Sequence, residues 1–432
     1  MNSVVVLMEK ELESMDMERS QIDIVFGEHC LNIDQREQVT HFFQALEEAK
    51  QQYNHIEVST NPYKNRIPRE TLQELSNRIS TLTEEQKNFV DCAEERITNS
   101  LQFLAFVNAD AGTGKTYTLN TFVARMLLAN KQVLCCAYTG IASILLLNGC
   151  TFHSHFKASM DAELDRGLKI KKKTKLASYL VQTDIIIIDE ATQLHKNYLE
   201  DLDDKLRDLK GNRNPFGGVS IILAGDFKQT LPIVTRSHQL AQIRVSIKKS
   251  LLWNLFKDVG NQFSFTKNMR LEQVTDIREH QKLHTFQEYL LRLGKGDLPA
   301  NNDGNVDIPK EYVVSGFDTE ESMQSAIIQH MYGDINEHWN DSEYMMSNVI
   351  ICPHNRNVQK LNQKIADTLR TTEYVSYSAD KGTDQSVDIG EEVLNILEVP
   401  GLPSHELKLK EKMPVMLMRN VSKEKNFVME QG

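Results

Sequence analysis

Two different patterns of apolar and polar residues divide the chain. Residues 1–80 are rich in Glu and Gln, and their apolar residues recur at helical spacing, as Phe42 and Leu46 do. Such spacing is typical of amphipathic helices, and Pro62 and Pro68 interrupt it because proline breaks a helix. We therefore predict a helical N-terminal extension over residues 1–80, without a catalytic pattern.

From about residue 82 onward, short apolar runs alternate with amphipathic stretches. The runs are LAFV, VLCCA, DIIIID and VSIILAG, and stretches such as KTYTLNTFVARML and NYLEDLDDKLRDL lie between them. Strands that alternate with helices predict a parallel sheet covered by helices on both faces. We therefore predict an α/β domain over residues 81–275.

A similar pattern returns toward the end of the chain. The apolar run NVIICP at residues 348–353 predicts another strand, and the amphipathic NVQKLNQKIADTL after it predicts a helix. A strand followed by a helix is the repeating unit of an α/β domain. We predict that residues 276–432 belong to a second α/β domain.

Composition narrows the class of protein. No run approaches the roughly 18 consecutive apolar residues of a membrane span. Acidic residues follow the apolar patch at the N-terminus and no basic region precedes it, unlike a signal peptide. The six cysteines include no CxxC pair, which argues against a zinc site or a disulfide framework. We expect a soluble, intracellular, nuclear protein without a membrane partner.

The acidic charge lies mostly near the N-terminus. The net charge is −11, and residues 1–100 carry 19 acidic and 10 basic residues, whereas residues 101–432 carry 41 and 39. A protein can hold a single nucleic-acid strand in a local groove without a basic surface overall, so the charge neither supports nor excludes DNA. The tract KIKKKTK (169–175) predicts a solvated basic loop; nuclear localisation or DNA contact is the alternative.

The segment ADAGTGKT (109–116) predicts a phosphate-binding loop. It follows a predicted strand and opens a predicted helix, which is the context such a loop requires. Its inward-turning backbone amides would belong to Gly112, Thr113 and Gly114. Lys115 would reach the β- and γ-phosphates, and Thr116 would bind Mg²⁺.

Two carboxylates follow the strand-like run IIII. Asp189 and Glu190 would lie at the carboxyl end of that strand, where open α/β sheets bind ligands. Asp189 would hold Mg²⁺, and Glu190 would orient and deprotonate the attacking water. After the next apolar run, Gln229 in GDFKQTLP could sense the γ-phosphate. The sequence thus predicts binding and hydrolysis of a nucleoside triphosphate.

Three longer motifs indicate which kind of nucleotide-driven protein this is. GDFKQTLP, FTKNMRL (265–271) and AYTGIASILLLNGCTFHSHF (137–156) together resemble the Pif-one family of superfamily 1B DNA helicases, over residues 82–432. LDDKLRDL, NPFGG and GLPSHELKLKEKMPVMLMRNV resemble the branch found in Helitron transposons. The resemblance implies a RecA-like P-loop NTPase domain over residues 81–275 and an incomplete second RecA-like domain over residues 276–432.

The resemblance also implies roles for individual residues. Gln86 in LTEEQ matches the glutamine that hydrogen-bonds adenine, and Arg270 in KNMR matches an arginine that reaches the γ-phosphate. The family's single-strand track is matched by Thr139, Gly140, His153, Ser154 and Asn355. The implied ligands are ATP with Mg²⁺, single-stranded DNA and duplex junctions; the oligomeric state stays open.

The family pattern extends beyond the last residue, Gly432. The motifs expected next are a Cys-Asn-Gly-Thr-Arg segment, a β-rich insertion and a final motif with a second γ-phosphate arginine. We therefore expect a helicase fragment that travels 5′ to 3′ in repair, recombination, replication or transposition and unwinds DNA poorly. A nucleotide-gated single-strand-binding protein without motor activity is the alternative. GDFKQ, KNMR and TFHSHF argue against a third interpretation, a nucleotide kinase.

Overall fold

The computed structural model describes residues 4–6, 67–159, 161–230, 232, 239–258, 260–302, 304–314, 317–352, 354–378, 391–396 and 404–417. The chain divides into two compact units, which we call the sheet unit (61–307) and the second unit (1–60 with 308–432). Strand β1 (Val4–Val6) is the one described element before Ile67. Most of the predicted helical extension therefore lies outside the described residues.

The sheet unit contains six strands and nine helices among its described residues. The strands are β2 (Leu104–Ala109), β3 (Val133–Ala137), β4 (Cys150–Thr151), β5 (Ile185–Asp189), β6 (Ser220–Gly225) and β7 (Gln262–Phe265). The helices are α1 (Arg69–Asn77), α2 (Glu84–Thr98), α3 (Lys115–Leu128), α4 (Gly140–Leu145), α5 (Phe152–Phe156), α6 (Lys175–Gln182), α7 (Lys196–Lys210), α8 (Gln239–Val245) and α9 (Ile277–Lys295). Short 3-10 helices span Arg78–Thr81, Ala191–Gln193, Pro215–Gly218, Ile247–Lys249, Leu251–Phe256 and Leu271–Gln273.

The six strands form one parallel sheet, in the order β4-β3-β5-β6-β2-β7. The register places Ala137 opposite Asp189 and Asn108 opposite Gly225. The carboxyl ends of the central strands therefore meet at one edge, which confirms the predicted α/β class.

Two apolar layers cover the sheet. On one face α2 and α3 contribute Phe89 and Phe122, whose ring centroids lie 5.8 Å apart, and Phe89 also packs 5.3 Å from Phe263. On the other face α7 contributes Leu199 and Leu202 to a second cluster. Because both faces are buried, β5 is apolar at its first four positions and polar only at its end, Asp189, as expected for a parallel strand.

The second unit is smaller in its described residues. Its helices are α10 (Glu320–Tyr332), α11 (Ser342–Ser347), α12 (Asn355–Thr368) and α13 (Glu391–Leu394), with a 3-10 helix at Lys310–Tyr312. Its strands are β1, β8 (Glu373–Tyr377), β9 (Glu406–Lys410) and β10 (Val415–Leu417). β8 pairs with β9 antiparallel, and β1 pairs with β10 parallel.

One predicted strand is wrong. Residues 348–352 of NVIICP form no strand, although the predicted helix after them is present as α12. A strand requires a neighbouring strand that takes up its backbone hydrogen bonds, and the described strands of the second unit pair with one another instead. Ile351 is accordingly 91 % exposed.

The sheet unit is longer than the predicted domain of residues 81–275. It includes α1 on one side and α9 on the other. The RecA-like character predicted for residues 276–432 stays a prediction. Across the described residues, no helix is both long and apolar enough to cross a membrane.

Candidate nucleotide-binding site

The predicted phosphate-binding loop lies between β2 and α3. Gly112 and Gly114 have φ angles of +80° and +74°, a left-handed conformation that favours glycine. A Cβ atom on Gly112 would lie 2.6 Å from Asn268 Oδ1, and one on Gly114 would lie 2.8 Å from Gln86 Nε2. Their conformation therefore favours glycine at both positions, and a side chain at either one would displace the Asn268 or the Gln86 side chain. α3 begins at Lys115, so its N-terminus supplies amides and a positive dipole end to the loop.

Lys115, Asp189 and Glu190 form one group, which we call the Lys115 cluster. The Lys115 ammonium lies 2.6 Å from Asp189 Oδ1 and 2.7 Å from Glu190 Oε1. Burial alone would lower the pKa of Lys115, but the charges of the two carboxylates outweigh it and raise the pKa above its usual value. The lysine is therefore a fixed positive charge at the end of β5. The sequence predicted all three residues at one site, and the structure brings them together.

Glu190 has an unusual backbone conformation. Its φ of +51° is left-handed although it is not a glycine, and its N–H donates to Asp189 Oδ1 over 2.8 Å. Such conformations cost on the order of 1–3 kcal/mol and cluster at functional sites. The turn directs the Glu190 carboxylate back toward Lys115, which an ordinary extension of β5 would not do.

Gln86 supports the phosphate-binding loop from α2. Its Oε1 accepts the Thr83 N–H in a capping box, and its Nε2 donates to the Thr113 carbonyl over 2.8 Å. Gln86 is 3 % exposed. The Thr113 hydroxyl donates to the Asp110 carbonyl, so the loop is braced internally as well. The adenine contact that the resemblance implies for Gln86 stays a prediction.

The loop after β6 carries Gln229. The Asp226 side chain accepts the Lys228 N–H over 2.9 Å, and the Asp226 carbonyl accepts the Gln229 N–H over 3.1 Å. The Lys228 side chain forms an ion pair with Asp110 of the phosphate-binding loop. Gln229 itself is exposed, and within the described part of the chain its side chain makes no hydrogen bond.

The segment 266–270, which carries Arg270, lies against the phosphate-binding loop. The Met269 N–H donates to the Gly112 carbonyl over 2.8 Å, and Asn268 Oδ1 accepts the Arg270 N–H over 2.9 Å. Thr266 is anchored to Glu85 by both its N–H and its hydroxyl. The Arg270 side chain is exposed and has no ion pair among the described residues, so the structure places it beside the loop but not in the Lys115 cluster.

The predicted DNA-contacting residues of the sheet unit lie at the same sheet edge. Thr139 caps α4 directly after β3, and His153 and Ser154 lie in α5 after β4. The His153 ring packs 5.6 Å from Tyr138 and 5.0 Å from Tyr198, between centroids. Burial lowers the pKa of His153, so its ring is neutral near pH 7.

The remaining DNA predictions have different positions. Gly140 is the first residue of α4, beside Thr139. Asn355 is the first residue of α12 in the second unit. The structure thus brings four of the five residues to one edge, and their contact with DNA stays a prediction.

The donors at this edge suit Mg²⁺. Mg²⁺ is typically held by one or two carboxylates together with phosphate oxygens. Asp189 offers a carboxylate that is 1 % exposed at the end of β5, and Thr116 lies in the first turn of α3. Nowhere in the described residues, this edge included, do three or more His, Cys, Asp or Glu form a metal-binding group, so the phosphates and Thr116 would have to complete the coordination here. The His-x-His spacing of His153 and His155 could also suggest a metal site. In the structure, however, His155 Nδ1 lies 2.9 Å from Cys150 Sγ.

Sequence reasoning missed four residues that build the site: Glu85, Asp110, Lys228 and Asn268. Glu85, Lys228 and Asn268 come close to the phosphate-binding loop, or to the segment packed on it, only in the folded chain. No local sequence pattern therefore indicates their roles. Asp110 could have been recognised from the sequence. A carboxylate within a phosphate-binding loop repels the phosphates, which predicts a basic residue near it.

The family described as PIF1-like helicase matches residues 81–304, more than half of the chain. The 2B domain of DNA helicase Pif1 matches residues 392–426. The second range falls within residues 276–432, for which a second RecA-like domain stays a prediction.

Individual relatives match shorter stretches. The chain is 37 % identical over 133 residues to "ATP-dependent DNA helicase Pif1" of Psychrobacter sp. (strain PRwf-1), which covers 30 % of this chain and 20 % of the relative. It is 30 % identical over 159 residues to "ATP-dependent DNA helicase RRM3" of Saccharomyces cerevisiae, covering 36 % and 21 %. The chain thus spans about a fifth of the length of these relatives.

Among solved structures, the crystal structure of Pif1 helicase from Candida albicans overlaps with a TM-score of 0.47 at 20 % identity. The overlap covers 76 % of this chain and 63 % of that one. The sheet topology described above itself establishes the α/β fold.

Proposed function

Since the chain belongs to the PIF1-like helicase family, we propose that it is the ATP-driven motor of a DNA helicase. The observation that carries the proposal is the Lys115 cluster at the end of the phosphate-binding loop. A lysine, a metal-binding carboxylate and a base carboxylate at one sheet edge are the parts that phosphoryl transfer to water requires.

The site residues have separate roles in this proposal. The amides of the phosphate-binding loop and Lys115 bind the phosphates of ATP. Thr116 and Asp189 would hold Mg²⁺, which neutralises phosphate charge. Glu190 positions the attacking water and takes its proton, and its distance from Lys115 would change once the ammonium turns to phosphate oxygens. Gln229 and Arg270 contact the γ-phosphate and change position when it is lost.

Hydrolysis at this edge can affect DNA because the predicted contacts are close by. The Tyr138 N–H donates to the Asp189 carbonyl over 3.3 Å, and the Tyr138 ring packs on His153. Movement of β5 is therefore transmitted to α5 through two contacts. Single-stranded DNA and duplex junctions are the proposed partners, with largely sequence-independent contacts to backbone and bases.

Finer aspects complete the proposal. We assign 5′-to-3′ travel, a role in repair, recombination, replication or transposition, nuclear location and a Helitron-type origin by resemblance. Imaging of a fluorescent fusion tests the location. Strand separation on substrates with one 5′ or one 3′ tail tests the direction, and strong unwinding that requires Lys115 would contradict the expected impairment of residues 1–432.

The deciding experiment is ATP hydrolysis by residues 1–432 with and without single-stranded DNA, beside Lys115→Ala. We expect DNA to stimulate hydrolysis and the variant to lose it, because the variant lacks the charge that contacts the phosphates. Lys408→Ala removes an exposed lysine paired with Glu406 and serves as a control that keeps ATP turnover.

Two other outcomes would contradict the motor. ATP binding that depends on Lys115 without DNA stimulation would favour the nucleotide-gated binding protein. Hydrolysis that persists in Lys115→Ala would place the ATPase activity outside this site.

A further inference from the structure

The phosphate-binding loop contains a negative charge of its own. Asp110 is its second residue, and its carbonyl accepts the Thr113 N–H and hydroxyl over 3.2 and 2.7 Å. Its side chain is 16 % exposed, so water and salt screen the carboxylate only in part. A carboxylate in a loop that receives a polyanion repels that ligand. The loop therefore needs a compensating cation.

Lys228 supplies that cation from a different loop. Its ammonium forms an ion pair with the Asp110 carboxylate, and its side chain is 24 % exposed. A Cβ atom on Gly294 of α9 would lie 3.8 Å from Lys228 Cβ, so the aliphatic part of the side chain packs beside that helix. Lys228 thus lies between Asp110 of the phosphate-binding loop and α9.

The position of Lys228 along the chain gives the pair a second consequence. Gln229 is the next residue, and Asp226 holds the backbone of both through its side chain and carbonyl. Among the described residues the Gln229 side chain makes no hydrogen bond, and the ion pair of the adjacent Lys228 joins this loop to the phosphate-binding loop. A shift of either loop therefore moves the other.

We propose that the Asp110–Lys228 ion pair is a positioning pair with two effects. It neutralises the carboxylate of the phosphate-binding loop, and it keeps the Gln229 loop aligned with that loop. This proposal rests on the proposed nucleotide site. Neither residue touches the reacting atoms, and Lys228 acts through Asp110 and Gln229.

The two effects separate in a double-mutant cycle. Lys228→Met leaves Asp110 uncompensated, so we expect the Kd for ATP to rise roughly tenfold and kcat to fall. Asp110→Ala removes the link and leaves the Lys228 ammonium without its partner, so ATP affinity should equal or exceed that of the unmodified chain while kcat falls. The double variant lacks both charges, so its ATP affinity should lie near that of the unmodified chain, and its kcat should match that of Asp110→Ala.

Salt dependence distinguishes charge from packing. Between about 0.05 and 0.5 M salt the screening length shortens severalfold, so the affinity defect of Lys228→Met relative to the unmodified chain should shrink. A packing defect would not follow the salt concentration. Lys228→Arg keeps the charge and should retain affinity and kcat, whether or not Lys228→Met folds well.

Lys172→Met is the matched control, because Lys172 pairs with Asp208 over 2.6 Å at the exposed surface. It should leave the Kd for ATP unchanged. Single defects that multiply in the double variant, or a Lys228→Met defect that persists at high salt, would overturn the neutralising effect. Unchanged kcat in Asp110→Ala would overturn the link. A chain that binds no ATP, or binds it equally well after Lys115→Ala, would instead refute the nucleotide site itself.

Discussion

The Lys115 cluster and the pair Gln229 and Arg270 lie at the same sheet edge but are held in different ways. Side chains of the Lys115 cluster are at most 17 % exposed and contact one another at 2.6–2.7 Å. Gln229 and Arg270 are exposed, and their described hydrogen bonds come from their backbones, to Asp226 and Asn268.

The difference separates two tasks. The fold of the sheet unit itself fixes the groups that would bind phosphate and activate water. The groups that would sense the γ-phosphate have only their backbones fixed, so their side chains can reorient when nucleotide or DNA contacts them. We therefore expect substitutions in the Lys115 cluster to change the chemistry itself, and substitutions at Gln229 or Arg270 to change turnover without changing stability.

Glu190→Gln should produce the largest effect. An amide cannot take a proton from water, so we expect ATP turnover to fall about 10²- to 10⁴-fold. ATP affinity should persist, because Lys115 keeps its contact with Asp189. Steady-state turnover and equilibrium ATP binding, measured on one preparation, check both statements.

Glu163→Gln is the control for that change, since its carboxylate is exposed and its one ion pair among the described residues is with His195 at 3.5 Å. If ATP turnover by Glu190→Gln stayed within about tenfold of that of the unmodified chain, Glu190 would not be the base. In that case burial of the Lys115 cluster would not mark the groups that carry out the chemistry.

Arg270→Ala should have the next largest effect. Arginines that stabilise a transferring phosphoryl group raise kcat by about 10³- to 10⁵-fold. We expect Arg270→Ala to lower DNA-stimulated turnover by at least about a hundredfold. Because the side chain is exposed, the midpoint of thermal unfolding should not change. Arg278→Ala, an exposed arginine in the first turn of α9, should alter neither quantity. A lowered unfolding midpoint in Arg270→Ala would mean that Arg270 is structural.

The sequence predicted the sheet unit well because its signals are local. The run of four isoleucines that ends at Asp189 is typical of a strand buried on both faces, and the glycines of the phosphate-binding loop favour the left-handed turn found there. The Lys115 cluster followed from these two motifs together, since parallel strands bring their carboxyl ends to one edge.

Other parts depended on contacts that no local pattern encodes. The run NVIICP has strand-like composition, but a strand also needs a neighbour, and none pairs with residues 348–352 among the described strands. The Asp110–Lys228 pair joins residues more than 100 positions apart. Gln86 was predicted from its motif, yet its bonds to Thr83 and Thr113 became visible only in the folded chain.

Gln86→Ala should have the smallest effect, and it tests the border between the two regions. The variant loses two hydrogen bonds of a buried side chain and leaves the Thr113 carbonyl without this donor, so we expect about 1–3 kcal/mol less free energy of unfolding. Urea unfolding measures this change. Gln73→Ala, which removes an exposed hydrogen bond to Asn77 in α1, should cost much less.

ATP and GTP affinities of the same Gln86→Ala variant address the predicted adenine contact. Adenine and guanine differ in the groups that a glutamine amide can pair with, so a loss confined to ATP would support that contact. Equal losses for both nucleotides would contradict it and leave Gln86 as a brace for the phosphate-binding loop. In that case Gln86 belongs with the fixed groups of the Lys115 cluster, because its effect on nucleotide passes through the Thr113 carbonyl and the loop backbone.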